Sequence, residues 1–254
     1  IYSLTAPTGS GKTSFLLLLA ASTAQGTPIA NRDMQRGRVI YFAGENPDDV
    51  RMRWIVMAER MGFDVDKIDV HFIPGTFSIK SLEKRIWAEA RQLGGFALAI
   101  IDTSAAYFQG SDENSNTEMG KHARHLRELT TLPGEPCVIV ACHPVKNAGN
   151  DNLLPRGGGA FIAEMDGNLV GKKNDSIVDL HWQGKFRGPD FEPMAFRLET
   201  VSSDRLKDSR GRRIPTVMAS PITDRERSDM AADTHKREDQ VILLLDKGPC
   251  SSIA

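Results

Sequence analysis

Ala6-Pro7-Thr8-Gly9-Ser10-Gly11-Lys12-Thr13 joins a short strand, Tyr2 to Thr5, to an apolar run, Phe15 to Ala21. Backbone N–H groups converge on phosphate oxygens only where no Cβ intervenes. Gly9 and Gly11 meet that need at the positive end of the helix that follows. Lys12 supplies a point charge for the β- and γ-phosphates, and the Thr13 hydroxyl is a ligand for Mg²⁺. Ala6 stands where this motif usually opens with glycine. The stretch predicts a nucleotide cradle made of Ala6, Pro7, Thr8, Gly9, Ser10, Gly11, Lys12, Thr13 and Ser14, with ATP and Mg²⁺ as its cofactors.

Outward from the cradle, β-rich runs alternate with helical segments, the pattern of a mostly parallel sheet covered on both faces. Strands are expected at Arg38 to Ala43, Val70 to Ile73, Ala97 to Ile101 and Cys137 to Cys142. Between them, helical spacing recurs at Val50, Trp54, Met57 and Met61, again at Ile79, Leu82, Ile86 and Leu93, and again at Met119, Ala123, Leu126 and Leu129. Asn168 to Lys173 and Ile177 to Trp182 bracket an Asn174-Asp175 turn and read as a hairpin, with Phe196 to Val201 as a further strand. The fold class is therefore α/β: a P-loop NTPase fold with a mostly parallel central sheet, flanking helices and an antiparallel C-terminal extension. Two long segments, Ser104 to Asn116 and Pro144 to Gly159, read as loops, the first as a mobile one.

The core is expected over residues 1–201. Dense charge of mixed sign makes 202–236 a linker or surface arm, and 237–254 starts as an apolar helix, the opening of a truncated small domain. The chain begins at Ile1 inside a strand without an initiator Met, which predicts further chain upstream.

Composition narrows the class. Hydrophobic residues make up 40% and charged residues 26%, values of a globular chain and not of a disordered or fibrous one. No apolar run approaches the length of a membrane span. Cys137, Cys142 and Cys250 suit a reduced cytoplasmic core better than a disulfide framework or a zinc site. A net charge of −1 argues against a broadly basic surface for duplex DNA, while leaving room for local positive charge in a loop or ring channel.

Four further sites carry chemistry. Asp102 closes an apolar strand, where a carboxylate meets the magnesium shell. Glu45 follows Gly44 at another strand end and is the candidate for polarising the attacking water. His143 also ends a strand, either as a reader of the γ-phosphate or as an ordinary satisfied histidine. Lys185 and Arg187 lie two residues apart and point the same way in an extended segment, either as cations reaching a neighbour's γ-phosphate or as a solvated hairpin tip.

Taken together, APTGSGKT, YFAGEN, ALAIID, VACH, the RGGG loop and QGKFRGP resemble the RecA-like AAA-domain ATPases, especially the RepA-type hexameric replicative helicases with a DnaB-like core. The match runs over about two hundred residues in order and spacing. The resemblance implies a DNA helicase that hydrolyses ATP, forms a homo-oligomeric ring, a hexamer, and acts on single-stranded DNA. It implies Lys12, Asp102 and Glu45 as the phosphate, metal and water residues, and His143 as a γ-phosphate sensor. It also makes Lys185 and Arg187 a finger pair serving the adjacent subunit, places DNA-gripping residues in the two long loops, and makes Lys146 and Arg156, both in the second, the phosphate contacts. The alternative is an ATP-gated regulator or loader that binds DNA or protein without unwinding.

Overall fold

The computed structural model describes residues 1–149, 151–223, 225–226 and 228–229. The first of two compact units runs from Ile1 to Pro221. Its elements in chain order are β1 (Tyr2–Thr5), α1 (Lys12–Gln25), β2 (Val39–Ala43), α2 (Pro47–Met61), β3 (Val70–Pro74), α3 (Glu83–Gln92) and β4 (Leu98–Asp102). There follow α4 (Asn116–Glu128), β5 (Cys137–Cys142), α5 (Gly158–Glu164), β6 (Gly167–Asn174), β7 (Ile177–Phe186), β8 (Met194–Val201) and β9 (Thr216–Pro221). The strands form one sheet in the order β3-β2-β4-β5-β1-β6-β7-β8-β9. β3 through β6 in that order pair in parallel, and β7, β8 and β9 add antiparallel ribbons.

Strands buried on both faces read as continuous apolar runs, and alternation sorts their side chains. Val39, Tyr41 and Ala43 of β2 join Leu16, Leu17 and Trp54 in the core on the α1/α2 side. Ile40 and Phe42 enter the opposite core with Leu126, Phe161 and Met165. Leu98 and Ile100 divide from Ala99 and Ile101 in the same way. Helix α2 starts at Pro47, with the Asn46 side chain accepting from the Asp49 N–H at 3.2 Å, and it stops at Gly62, whose φ of 73° suits a residue without a Cβ. Among the described residues no helix is long and apolar enough to cross a membrane.

Three expectations change. The core does not end at residue 201: Thr216–Pro221, inside the supposed arm, pairs along β8 as the ninth strand. The charge before it is largely paired across a small hairpin, Asp204 with Arg213 and Asp208 with Arg212. The Ser104 to Asn116 segment is not a bare loop. Ser104–Tyr107 is a 3-10 turn, the buried Tyr107 donates its hydroxyl proton to the Gly75 carbonyl at 2.9 Å, and the Glu118 carboxylate accepts the Ser111 and Asp112 N–H groups at 2.8 and 3.0 Å. The Pro144 to Gly159 segment folds back on itself, with Pro144 bridging Pro155 and the Val145 N–H donating to the Leu154 carbonyl, and α5 starts inside its end. Cys137 is exposed whereas Cys142 is buried.

The second compact unit runs from Ile222 to Ala254. In it Thr223 and Glu226 cap one another, the Thr223 hydroxyl donating to the Glu226 carboxylate at 2.8 Å and accepting the Glu226 N–H at 3.2 Å. The helix expected over 237–254 lies outside the described residues.

Candidate functional site

The loop between β1 and α1 lies at the carboxyl ends of the parallel strands, where ligands sit in open α/β sheets. Gly9 and Gly11 have φ of 79° and 78°, the left-handed region that favours glycine. At Gly11 a Cβ would also meet Leu198 Cδ2 at 2.6 Å. The first helical bond of α1 is made by the Phe15 N–H to the Gly11 carbonyl at 2.9 Å, so the N–H groups of Lys12, Thr13 and Ser14 precede it in the turn that faces an anion. Ala6 is buried; its N–H donates to the Cys142 carbonyl at 3.3 Å, and its own carbonyl accepts from Lys12 Nζ at 2.7 Å. A second carbonyl, that of Pro7, holds the same ammonium at 3.1 Å. Burial pulls Lys12 below the usual lysine range, while Asp102 and Glu45 act the other way.

A cleft of about 610 Å³ opens over this loop. Lys12, Thr13, Glu45, Asp102 and His143 all line it, so five side chains singled out in sequence meet in one place. Asp102 is buried at the end of β4 and receives the Tyr41 hydroxyl at 2.7 Å, with the Thr13 hydroxyl close enough to favour its charged form. Burial raises its pKa, against the pull of those two donors. Glu45 is seated beside it, because the Gly44 and Glu45 N–H groups both donate to the Asp102 carbonyl, at 2.8 and 3.4 Å. Its carboxylate stays 58% exposed and lies 3.9 Å from His143 Nε2. His143 Nδ1 is 3.4 Å from the Thr8 hydroxyl, and burial followed by the Lys12 charge lowers its pKa, favouring the neutral ring.

Thr13 and Asp102 place a hydroxyl and a carboxylate together at the floor of the cleft, an all-oxygen pair that suits Mg²⁺. Among the described residues no group of three His, Cys, Asp or Glu side chains forms a protein cage for a metal. Tyr41 is the residue that sequence reading missed here, since a tyrosine inside an apolar strand reads as core. Tyr41→Phe is expected to cost about 1–3 kcal/mol of stability, by leaving a buried carboxylate oxygen short of a donor. It is also expected to raise the Mg²⁺ concentration for half-maximal nucleotide binding. Thermal melts and a Mg²⁺ titration of nucleotide fluorescence check this, and a parent-like response in both would make the hydroxyl incidental.

Other assignments sharpen or shift. The Ser14 hydroxyl does not face the cleft: it donates to the Val217 carbonyl at 2.8 Å and accepts from Arg53 at 2.7 Å, so only its backbone N–H remains for a ligand. Arg53, one turn beyond Asp49, bonds that carboxylate at 2.7 Å and lines the cleft, as does Lys173, whose Nζ reaches the Gly9 carbonyl at 3.1 Å. The i, i+4 spacing of Asp49 and Arg53 was the available signal. Neither Lys185 nor Arg187 lines the chain's own cleft. Lys185 Nζ bonds the Ile162 and Ala163 carbonyls at the end of α5, at 3.2 and 2.7 Å, and Arg187 pairs with Asp166 at 3.2 Å. Arg156 is spoken for internally, by Glu113 and the Pro144 carbonyl, each at 3.3 Å, whereas Lys146 is exposed.

The glycine-rich loop, the buried strand-end carboxylate and the sheet around them define a P-loop ATPase-type domain. The family model described as an AAA domain matches residues 1–149, more than half of the chain's 254 residues, and the chain belongs to that family. No curated protein matches the chain.

Proposed function

We propose that this chain is an ATP-hydrolysing motor domain of RecA type, which assembles into a hexameric ring and moves along single-stranded DNA as a helicase or translocase. The observation that carries the reading is the division of the catalytic set. Lys12, Thr13, Asp102, Glu45 and His143 converge on one cleft, while Lys185 and Arg187 do not line it, which supports their use by a neighbouring copy.

Within the cleft, the α1 turn and Lys12 bind and orient the phosphates. Mg²⁺, held by Thr13 and through Asp102, neutralises phosphate charge when bound. Glu45 takes the proton of the attacking water, and His143, bonded to the loop through Thr8, senses the γ-phosphate. Because the His143 carbonyl accepts the Arg156 N–H at 3.0 Å, a shift of His143 reaches the second long segment directly.

ATP hydrolysis measured with and without a single-stranded oligonucleotide, beside a solution mass in ATP and Mg²⁺, tests this. A ring-sized mass and faster turnover with the strand are expected. A monomer whose hydrolysis ignores the strand would overturn the motor reading.

A further inference from the structure

A second cavity, of about 270 Å³, lies outside the ATP cleft, between the segment after β3, the segment after β4 and the flank of α4. Its volume is near the lower end for small-ligand pockets, about 300–1,000 Å³. The walls are fixed and not improvised. Tyr107 ties the β4 segment to the turn after β3 through the Gly75 carbonyl, and Glu118 pins Ser111 and Asp112 through their N–H groups.

The lining has a distinctive charge arrangement. Ile79, Leu126 and the half-buried Phe108 make an apolar floor, and Lys80, Lys121 and His125 stand around it. Lys80 Nζ lies 3.5 Å from His125 Nε2, an imidazole and not a carboxylate. Among the described residues neither Lys80 nor Lys121 forms an ion pair. Glu118, the one acid in the lining, is already committed to the loop N–H groups and the Ser111 hydroxyl. Exposed cations without counter-ions, over an apolar floor the size of one small ligand, suit a unit that carries an anion at one end and a flat apolar ring at the other. A nucleotide is such a unit.

We propose that this groove holds one nucleotide unit of a single strand, with Lys80 and Lys121 on the phosphate and Phe108 against the base. This rests on the single-strand reading above and moves the grip off the residues first assigned to it, since Arg156 is held by Glu113. The groove also shares an element with the ATP cleft: its β4 segment starts directly after Asp102, so a strand seated here bears on the catalytic strand end.

The test is binding of a fluorescent oligothymidine to the full chain in Mg²⁺ and a non-hydrolysable ATP analogue, over a range of salt. Each lysine–phosphate contact on a single strand contributes about 0.7 to the slope of log affinity against log salt. The doubly substituted Lys80→Gln, Lys121→Gln protein is therefore expected to lose about 1.4 from that slope and to bind about tenfold more weakly at low salt. Phe108→Ala is expected to weaken binding about fivefold or more while leaving the slope in place, because its contact is uncharged. Matching thermal midpoints establish that each variant is folded. Parent-like affinity and slope in the lysine variant, or loss only in Lys146→Gln, would overturn the site and spare the single-strand reading. No oligonucleotide binding by the parent would remove that reading and the site with it. Equal displacement by a free mononucleotide in the Lys12→Ala background would assign the groove to a soluble nucleotide and refute the strand.

Discussion

Glu45→Gln protein is expected to bind ATP as tightly as the parent and to hydrolyse it about 10²- to 10⁴-fold more slowly. The substitution preserves size and leaves the backbone seat untouched, since the Gly44 and Glu45 N–H groups still donate to the Asp102 carbonyl. What it removes is the group able to take a proton. Of the other acids lining the cleft only Asp175, in the turn between β6 and β7, is neither buried nor ion-paired among the described residues, and it is the one carboxylate that could stand in. Asp102 is buried and holds the Tyr41 hydroxyl, and Asp49 is paired with Arg53. His143 lies 3.9 Å from Glu45 and is tethered to Thr8. Steady-state phosphate release and fluorescent-nucleotide binding read the two halves of the expectation. Undiminished turnover would reassign the base. The same variant separates a motor from a gated loader: a motor stops unwinding, whereas a loader holds its partner more tightly once ATP persists.

Legibility in the sequence followed the range of the interactions. The cradle, the strand-end positions of Glu45, Asp102 and His143, and the hairpin after Asn168 rest on local pattern, and each element is found within a few residues of its expected place. β9 was hidden because Thr216–Pro221 is a short run set between Pro215 and dense charge, and its strand character comes from pairing with β8 and from Val217 accepting bonds from Ser14 and Arg53, more than 160 residues away in sequence. The order in the Ser104 to Asn116 segment is likewise non-local, since it depends on Tyr107 finding Gly75 and on Glu118 turning back to Ser111. Polarity alone made that stretch look loose. Arg156 shows the same limit at the site. A guanidinium in a loop reads as free for phosphate until Glu113, 43 residues earlier, is seen to hold it.

The largest loss is expected at the far end of the sheet: Arg187→Ala should keep nucleotide binding and lower turnover about 10³- to 10⁵-fold, the range for a finger contributed to transition-state charge. Arg187 is not among the residues that line the chain's own cleft. Phe186 is paired with Gly167 at the start of β6, Gly167 is in register with Tyr2, and the phosphate loop begins after Thr5, so the strand alone separates them by about 10 Å. Arg187 is 67% exposed and its contact with Asp166 is a surface ion pair, worth no more than about 1 kcal/mol, so the guanidinium is released cheaply toward a neighbour's phosphate. Mixing decides the matter. In a ring built from Arg187→Ala and Lys12→Ala chains, some sites combine an intact cradle from the first with an intact finger from the second, and hydrolysis should reappear although each protein alone is inactive. Turnover that survives Arg187→Ala would leave the residue a solvated surface cation. A loss that mixing fails to restore would place its effect inside one chain and remove the shared site.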